Sequence, residues 1–118
     1  MKHPYQSLID RKVADFDYTG LLTTGNLTDV PAAARTGCRW VITHWEVRCK
    51  AGADTVDFVV ASNTTERFRL QFAEGQGMIT EPWLTAFDVE EPLNIEADAG
   101  AGAEDLQVNL RGFYYRDA

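Results

Sequence analysis

The sequence predicts an all-β protein, a single antiparallel β-sandwich of about eight strands with a jelly-roll-like arrangement. Short stretches of the chain alternate polar and apolar residues with period two, which is the pattern of strands that bury one face. Turn signals separate these stretches every ~8–12 residues. No stretch has the spacing of an amphipathic helix, so we expect less than about a tenth of the 118 residues to be helical.

The alternation is clearest in three segments of the second half of the chain, Arg67–Phe72, Pro92–Ala97 and Leu106–Tyr115. Antiparallel sheets with one buried face give this pattern, whereas parallel strands give continuous apolar runs. The residues expected on the buried faces are Phe68, Leu70, Phe72, Leu93, Ile95, Leu106, Val108 and Leu110.

The longest predicted strand runs from Cys38 to Cys49. Trp40 and Ile42 lie on its even-numbered face, and Val41 begins its odd-numbered face. Because both faces begin apolar, we expect this strand to lie centrally and to be partly covered on each side.

Cys38 and Cys49 are the only cysteines. In a continuous strand they would lie roughly 36 Å apart, at about 3.3 Å per residue, and their odd spacing would put them on opposite faces. A disulfide needs Cα atoms within about 7 Å, so we expect no bridge between them. They are expected to serve as small hydrophobic residues in a reduced protein.

We divide the chain into an N-terminal arm, residues 1–12, and a sandwich domain, residues 13–118. The arm is polar and mildly basic, and it shows no convincing helical periodicity. It is expected to be disordered alone or ordered against a partner, and a merely loose terminus is the alternative.

The formal net charge of −7 is unevenly distributed along the chain. Residues 1–50 carry seven Lys/Arg and five Asp/Glu, whereas residues 51–118 carry four Lys/Arg and thirteen Asp/Glu. The acidic surplus argues against nucleic acid as a partner, since phosphate contacts need clustered cations. It indicates either a solvated surface or a polarised particle whose less acidic end docks. No apolar run is long enough to span a membrane, and the N-terminus lacks the apolar core of a signal peptide.

The sequence lacks the motifs of catalytic, metal and cofactor sites, so we expect a protein that is not an enzyme and has no cofactor. The two histidines, His3 and His44, are too few for a zinc site, and no paired-histidine or Cys-x-x-Cys motif occurs. Most carboxylates lie in predicted turns rather than facing each other across a cleft. His44, beside Trp45, is expected to be an ordinary residue of the sheet surface.

Aromatic residues cluster toward the C-terminal end, namely Trp83, Phe87, Phe113, Tyr114 and Tyr115. Alternation puts Phe113 and Tyr115 on one face of their strand and Tyr114 on the other. Either all five lie in the core, or some of them line a contact between subunits, where Tyr and Trp are enriched. A sugar-binding platform on Trp83 is a third interpretation.

Four segments carry a resemblance to a known family: Phe72–Gly77 (Phe-Ala-Glu-Gly-Gln-Gly), Pro82-Trp83, Glu91–Ile95 (Glu-Pro-Leu-Asn-Ile) and Val108–Tyr115. Between Val30 and Tyr115 the chain resembles the small β-sandwich virion proteins of tailed bacteriophages that decorate capsids, also called cement proteins. It departs from them in its two cysteines, in the tryptophans of the strand containing Trp40 and Trp45, and in its longer acidic tract.

The resemblance implies a non-enzymatic structural protein on the outer surface of a capsid, made in the host cytoplasm. Its expected partners are the major capsid protein and two further copies of itself in a homotrimer, with no nucleic acid and no membrane. A carbohydrate-binding jelly-roll module using Trp40, Trp45 or Trp83, and a tail or neck component of the virion, are the alternatives.

Two groups of residues are candidates for these contacts. The arm offers apolar anchors and positive charges for docking on the capsid, at Tyr5, Leu8, Ile9, Arg11 and Lys12. The candidates for the contact between subunits are Trp83, Phe87 and Tyr114.

Overall fold

The computed structural model describes residues 3–23, 27–30, 35–51, 55–98 and 105–117. These residues form one short helix and nine strands: α1 (Gln6–Asp10), β1 (Lys12–Thr23), β2 (Thr28–Asp29), β3 (Cys38–Ala51), β4 (Val56–Ser62), β5 (Thr65–Phe72), β6 (Gly77–Thr80), β7 (Leu84–Thr85), β8 (Leu93–Asp98) and β9 (Asp105–Arg116).

The strands form two antiparallel sheets. Sheet A has the order β1-β9-β3-β6, with β7 also paired to β3, and sheet B has the order β2-β8-β4-β5. The first strand thus pairs with the last, the second with the penultimate, the third with β6 and β7, and the fourth with the fifth. This nested pairing across two sheets is the strand order of a jelly roll, which confirms the predicted fold.

The main core lies between the two sheets and follows the predicted alternation in most strands. Leu106, Val108 and Leu110 of β9 are fully buried, as predicted. Leu70 is an exception, because 41% of it is exposed on β5, which is an edge strand of sheet B among the described residues. Phe68 of the same strand is half-buried.

The predicted alternation of β3 is wrong, because a β-bulge interrupts it. The pairing of β3 with β9 shifts register between Ile42 and His44. The bulge reverses which face each later residue takes. Trp40 and Ile42 therefore point into the core before the bulge, and Trp45 points into it afterwards.

The same bulge corrects the prediction for the cysteines. Cys38 and Cys49 both lie in the core between the sheets, not on opposite faces, because the bulge falls between them. Neither forms a disulfide, as predicted.

The two halves of the sequence, which differ in net charge, are interleaved in sheet A. Strand β1 pairs with β9, and β3 pairs with β6, β7 and β9, so both halves of the chain contribute to sheet A. Sheet B likewise combines β2 with β8. The interpretation as a particle with one less acidic end stays a prediction.

A second, smaller apolar cluster lies on the outer face of sheet A, the face turned away from sheet B. Val41, Phe113 and Tyr115 form it, and Leu8 and Ile9 of α1 pack against it. The helix α1 is not predicted from the sequence, because five residues are too few to show a helical period. Within the described residues, no helix is long and apolar enough to cross a membrane.

Candidate functional site: a groove on the outer face of sheet A

A groove of about 720 Å³ crosses the outer face of sheet A beside α1. Its floor is the centre of β9 and β3, one wall is β1, and the other is the segment between β6 and β7. The residues on which its chemistry depends are Asp15, Asp17, His44, Glu81, Trp83 and Arg111.

Three polar residues form a row across the floor. Asp17 of β1 pairs with Arg111 of β9, which pairs in turn with His44 of β3. Directly paired residues of neighbouring strands have Cβ atoms about 4.5–5.5 Å apart, so these side chains are neighbours on one face. His44 shares this face because of the bulge, since uninterrupted alternation would have turned it into the core with Ile42.

The aromatic wall of the groove is Trp83, whose backbone is strained. Its φ of +48° lies in the left-handed region, which bulky residues rarely adopt. The Tyr5 ring stacks on the indole with centroids 4.7 Å apart and planes 5° apart, and the His3 ring lies at 4.8 Å. Phe113 meets the indole edge-on at 6.1 Å. The N-terminal segment therefore helps to hold Trp83 in this conformation.

One ion pair is formed within the groove, between Lys12 Nζ and an Asp15 carboxylate oxygen at 2.5 Å. Within the described part of the chain, the side chains of Asp17, His44, Glu81 and Arg111 have no hydrogen-bond or ion-pair partner. The groove thus presents hydrogen-bond donors and acceptors side by side that are not used within the described residues. No group of three or more His, Cys, Asp or Glu side chains among the described residues could hold a metal ion.

All five residues predicted to dock on a capsid contact the sandwich of their own chain. Leu8 and Ile9 pack on the outer cluster, and Tyr5, 39% exposed, stacks on Trp83. Arg11 Nη1 donates hydrogen bonds to the carbonyl oxygens of Arg116 and Asp117, at 3.0 and 2.5 Å.

The Arg11 guanidinium also lies over the Tyr115 ring, at 5.3 Å from its centroid, and Lys12 Nζ lies 5.8 Å from the centroid of Phe113. The arm's apolar and cationic groups are therefore already used in holding it against sheet A.

The three candidates for a contact between subunits lie in different environments. Tyr114 is 4% exposed and belongs to the core between the sheets. Trp83 is half-buried under the N-terminal segment. Phe87 is 47% exposed, with the Arg67 guanidinium 4.9 Å from its ring centroid. Phe87 is thus the one of the three whose side chain is open to a partner.

The tryptophans of β3 cannot serve as sugar platforms. Trp40 and Trp45 are each 1% exposed, and the Trp45 ring packs in the core against Phe58 and Phe68. The interpretation as a carbohydrate-binding module on these two residues is therefore wrong.

Sequence reasoning missed the polar row of the groove. The sequence interpretation makes His44 an ordinary surface residue and does not single out Arg111. Gly112 was the available signal, since a glycine inside a strand pattern often marks a bulge or a close backbone approach. Gly112 pairs with Ile42 at the edge of the β3 bulge.

Comparison with known proteins assigns the chain to no family. No protein-family model matches it, and the search of curated proteins also gives no match. Among solved structures it is similar to the crystal structure of FlhE, with 19% sequence identity over 87% of this chain and 95% of that chain. The TM-score of 0.42 is too low to carry an argument about fold or function.

Proposed function

We propose that this protein is a non-enzymatic structural virion protein that decorates and stabilises a phage capsid as a homotrimer, in contact with the major capsid protein. The family resemblance of the sequence suggests this role. The observation that carries the contact between copies is the presence of three exposed apolar side chains on or next to the strands at one edge of the sandwich.

That edge is formed by β5 of sheet B together with β6 and β7 of sheet A. The Arg67 Nε donates a hydrogen bond to the Thr85 carbonyl oxygen at 3.1 Å, so β5 and β7 lie on the same side of the sandwich. Ile79 is 69% exposed, Phe87 47% and Leu70 41%.

Apolar side chains grouped on a surface favour a protein contact, and unpaired edge strands can add backbone pairing. In a cyclic trimer each copy would cover this edge with a neighbouring copy, and the closed ring would leave no interface unpaired. Three weak capsid contacts joined rigidly would then act together, which raises avidity without any single strong contact.

The first experiment measures the oligomeric state by light scattering. We expect a trimer for the unaltered protein and a monomer for the double variant Ile79→Ser/Phe87→Ser, with little change in urea midpoint. The matched control is Leu21→Ser, because Leu21 is 49% exposed on β1 at the opposite edge of sheet A and should leave the trimer intact. A wild-type monomer at every concentration would contradict the trimer.

The second experiment asks where the protein lies on a particle. Phage particles produced from a genome that carries this chain with an affinity tag should show the tag on the outer capsid surface by electron microscopy. Label confined to the tail or neck, or absent from particles, would refute the decorating role.

A further inference from the structure

The groove on the outer face of sheet A has the size of a ligand site and a mixture of chemical groups that the decorating role does not use. Its volume of about 720 Å³ lies within the range of roughly 300–1,000 Å³ typical of small-molecule sites. Such sites combine apolar walls with a few convergent polar groups. Here Trp83, Ile9 and Phe113 supply apolar surface beside the polar row.

The signs of the charges restrict what this groove can bind. Arg111 lies between Asp17 and His44 in the row, and Glu81 lines the opposite wall. An anion held by Arg111 would lie next to the Asp17 carboxylate, and a cation held by Asp17 would lie next to the guanidinium. Like charges at such distances oppose binding.

A neutral ligand with many hydroxyl groups meets no such conflict. Each hydroxyl both donates and accepts, so it can donate to a carboxylate and accept from a guanidinium at the same time. Arg111 offers donors only, whereas Asp17 and Glu81 offer acceptors only when ionised. All three side chains lack partners within the described residues, so no internal bond must be broken to use them.

Two costly backbone features are placed at this groove. The β3 bulge turns His44 onto the floor, and the positive φ of Trp83 forms the wall. Bulges are frequent beside binding sites, where they re-aim a side chain. A bulky residue at positive φ costs on the order of 1–3 kcal/mol and persists where its surroundings hold it.

We propose that this groove binds a neutral carbohydrate, with hydroxyl groups bonded to Asp17, Arg111 and Glu81 and the sugar ring against the part of Trp83 that lines the groove and that Tyr5 does not cover. This inference rests on the polar row and not on the capsid role, which depends on the side chains of Ile79, Phe87 and Leu70. It also differs from a platform on the β3 tryptophans, which are buried.

The test uses the full chain on an array of immobilised neutral, acidic and amino-bearing oligosaccharides, followed by calorimetry with the neutral oligosaccharide that gives the strongest signal. We expect binding to neutral glycans. Arg111→Ala and Asp17→Ala should each weaken it at least tenfold, with urea midpoints close to that of the unaltered protein.

Two controls separate the groove from general surface charge. Arg48→Ala should leave the affinity unchanged, because Arg48 is an exposed arginine of the same sheet that pairs with Gln107, away from the polar row. Raising the sodium chloride concentration from 50 to 500 mM should also change the affinity little, because salt screens charged ligands and not neutral ones.

Three results would overturn the proposal: no neutral glycan bound at millimolar concentration, equal binding by the Arg111 and Arg48 variants, or salt-sensitive preference for acidic or amino-bearing glycans. The oligomeric state is measured separately, so failure of this proposal leaves the decorating role untouched.

Discussion

The substitution Gly112→Ala tests whether close packing at the β3 bulge fixes the floor of the groove. Gly112 lies in β9 between Phe16 of β1 and Ile42 of β3. A Cβ atom added to it would lie 2.0 Å from the Val41 carbonyl oxygen and 2.7 Å from Cζ of Phe16. Carbon contacts are favourable only at about 3.5–4.0 Å. The backbone of β3 would therefore have to move by more than about 1 Å.

The magnitude follows from two opposing effects. Overpacking a tight site costs about 1–3 kcal/mol, and the upper end applies because the obstacle is backbone. Alanine recovers about 0.5–1 kcal/mol relative to glycine in a strand. We expect the free energy of unfolding to fall by about 2 kcal/mol, which lowers the urea midpoint by roughly 1.3 M for an m-value of about 1.5 kcal/mol/M.

The matched control is Gly20→Ala in β1. A Cβ atom at Gly20 would meet the Tyr18 hydroxyl at 2.5 Å, which is the far end of a side chain and not backbone. This variant should change the free energy of unfolding by less than about 0.5 kcal/mol. If both variants unfold at the same urea concentration, the contact between Gly112 and the Val41 carbonyl does not constrain the fold.

Two further measurements address the N-terminal segment and the buried tyrosines. Ile9→Ala should lower the free energy of unfolding by about 1–2 kcal/mol, roughly half the usual cost for a core residue, because Ile9 is half-buried. The control Leu21→Ala should lower it by less than about 0.5 kcal/mol. Equal urea midpoints for the two variants would show that the N-terminal segment is not held against sheet A. Burial raises the pKa of Tyr115 in the folded protein. As the pH rises, the phenol of the unfolded chain therefore ionises first, at pH about 10. The contribution of Tyr115 to the free energy of unfolding is present below that pH and is lost as the pH rises through the folded-state pKa. Tyr115→Phe should therefore lose less stability than the unaltered protein between pH 9 and 11 in urea unfolding, and an equal loss would refute the assignment.

The architecture could be predicted from the sequence because it depends on local alternation. In β9, Leu106, Val108 and Leu110 take the buried face that period two assigns to them. The number of short strands and turns then suggests a jelly roll, although the pairing of β1 with β9 is not itself a local feature. Leu70 deviates because the pattern cannot tell which strand ends a sheet.

The candidate site could not be predicted, because it depends on pairing between distant parts of the chain. Asp17 and Arg111 are far apart in sequence and become neighbours only through the β1–β9 register. His44 lies on the same face as Asp17 and Arg111 only because of the β3 bulge, which no local sequence pattern predicts. The packing of the arm against the sandwich could not be predicted for the same reason, since Tyr5 and Trp83 are in contact but far apart in sequence.

The bulge joins the stability of the fold to the chemistry of the groove. With uninterrupted alternation, His44 would enter the core and Trp45 would leave it. The bulge instead buries the Trp45 ring, which meets Phe58 edge-on at 5.6 Å, and turns the imidazole of His44 outward. Burial of a large aromatic side chain stabilises by roughly 1.5–3 kcal/mol, enough to compensate a local break in the ladder. Core packing therefore compensates the cost of the bulge, and the polar row on the opposite face remains free to serve binding. For this reason the variants that test the groove alter Asp17 and Arg111, whose side chains point away from that core.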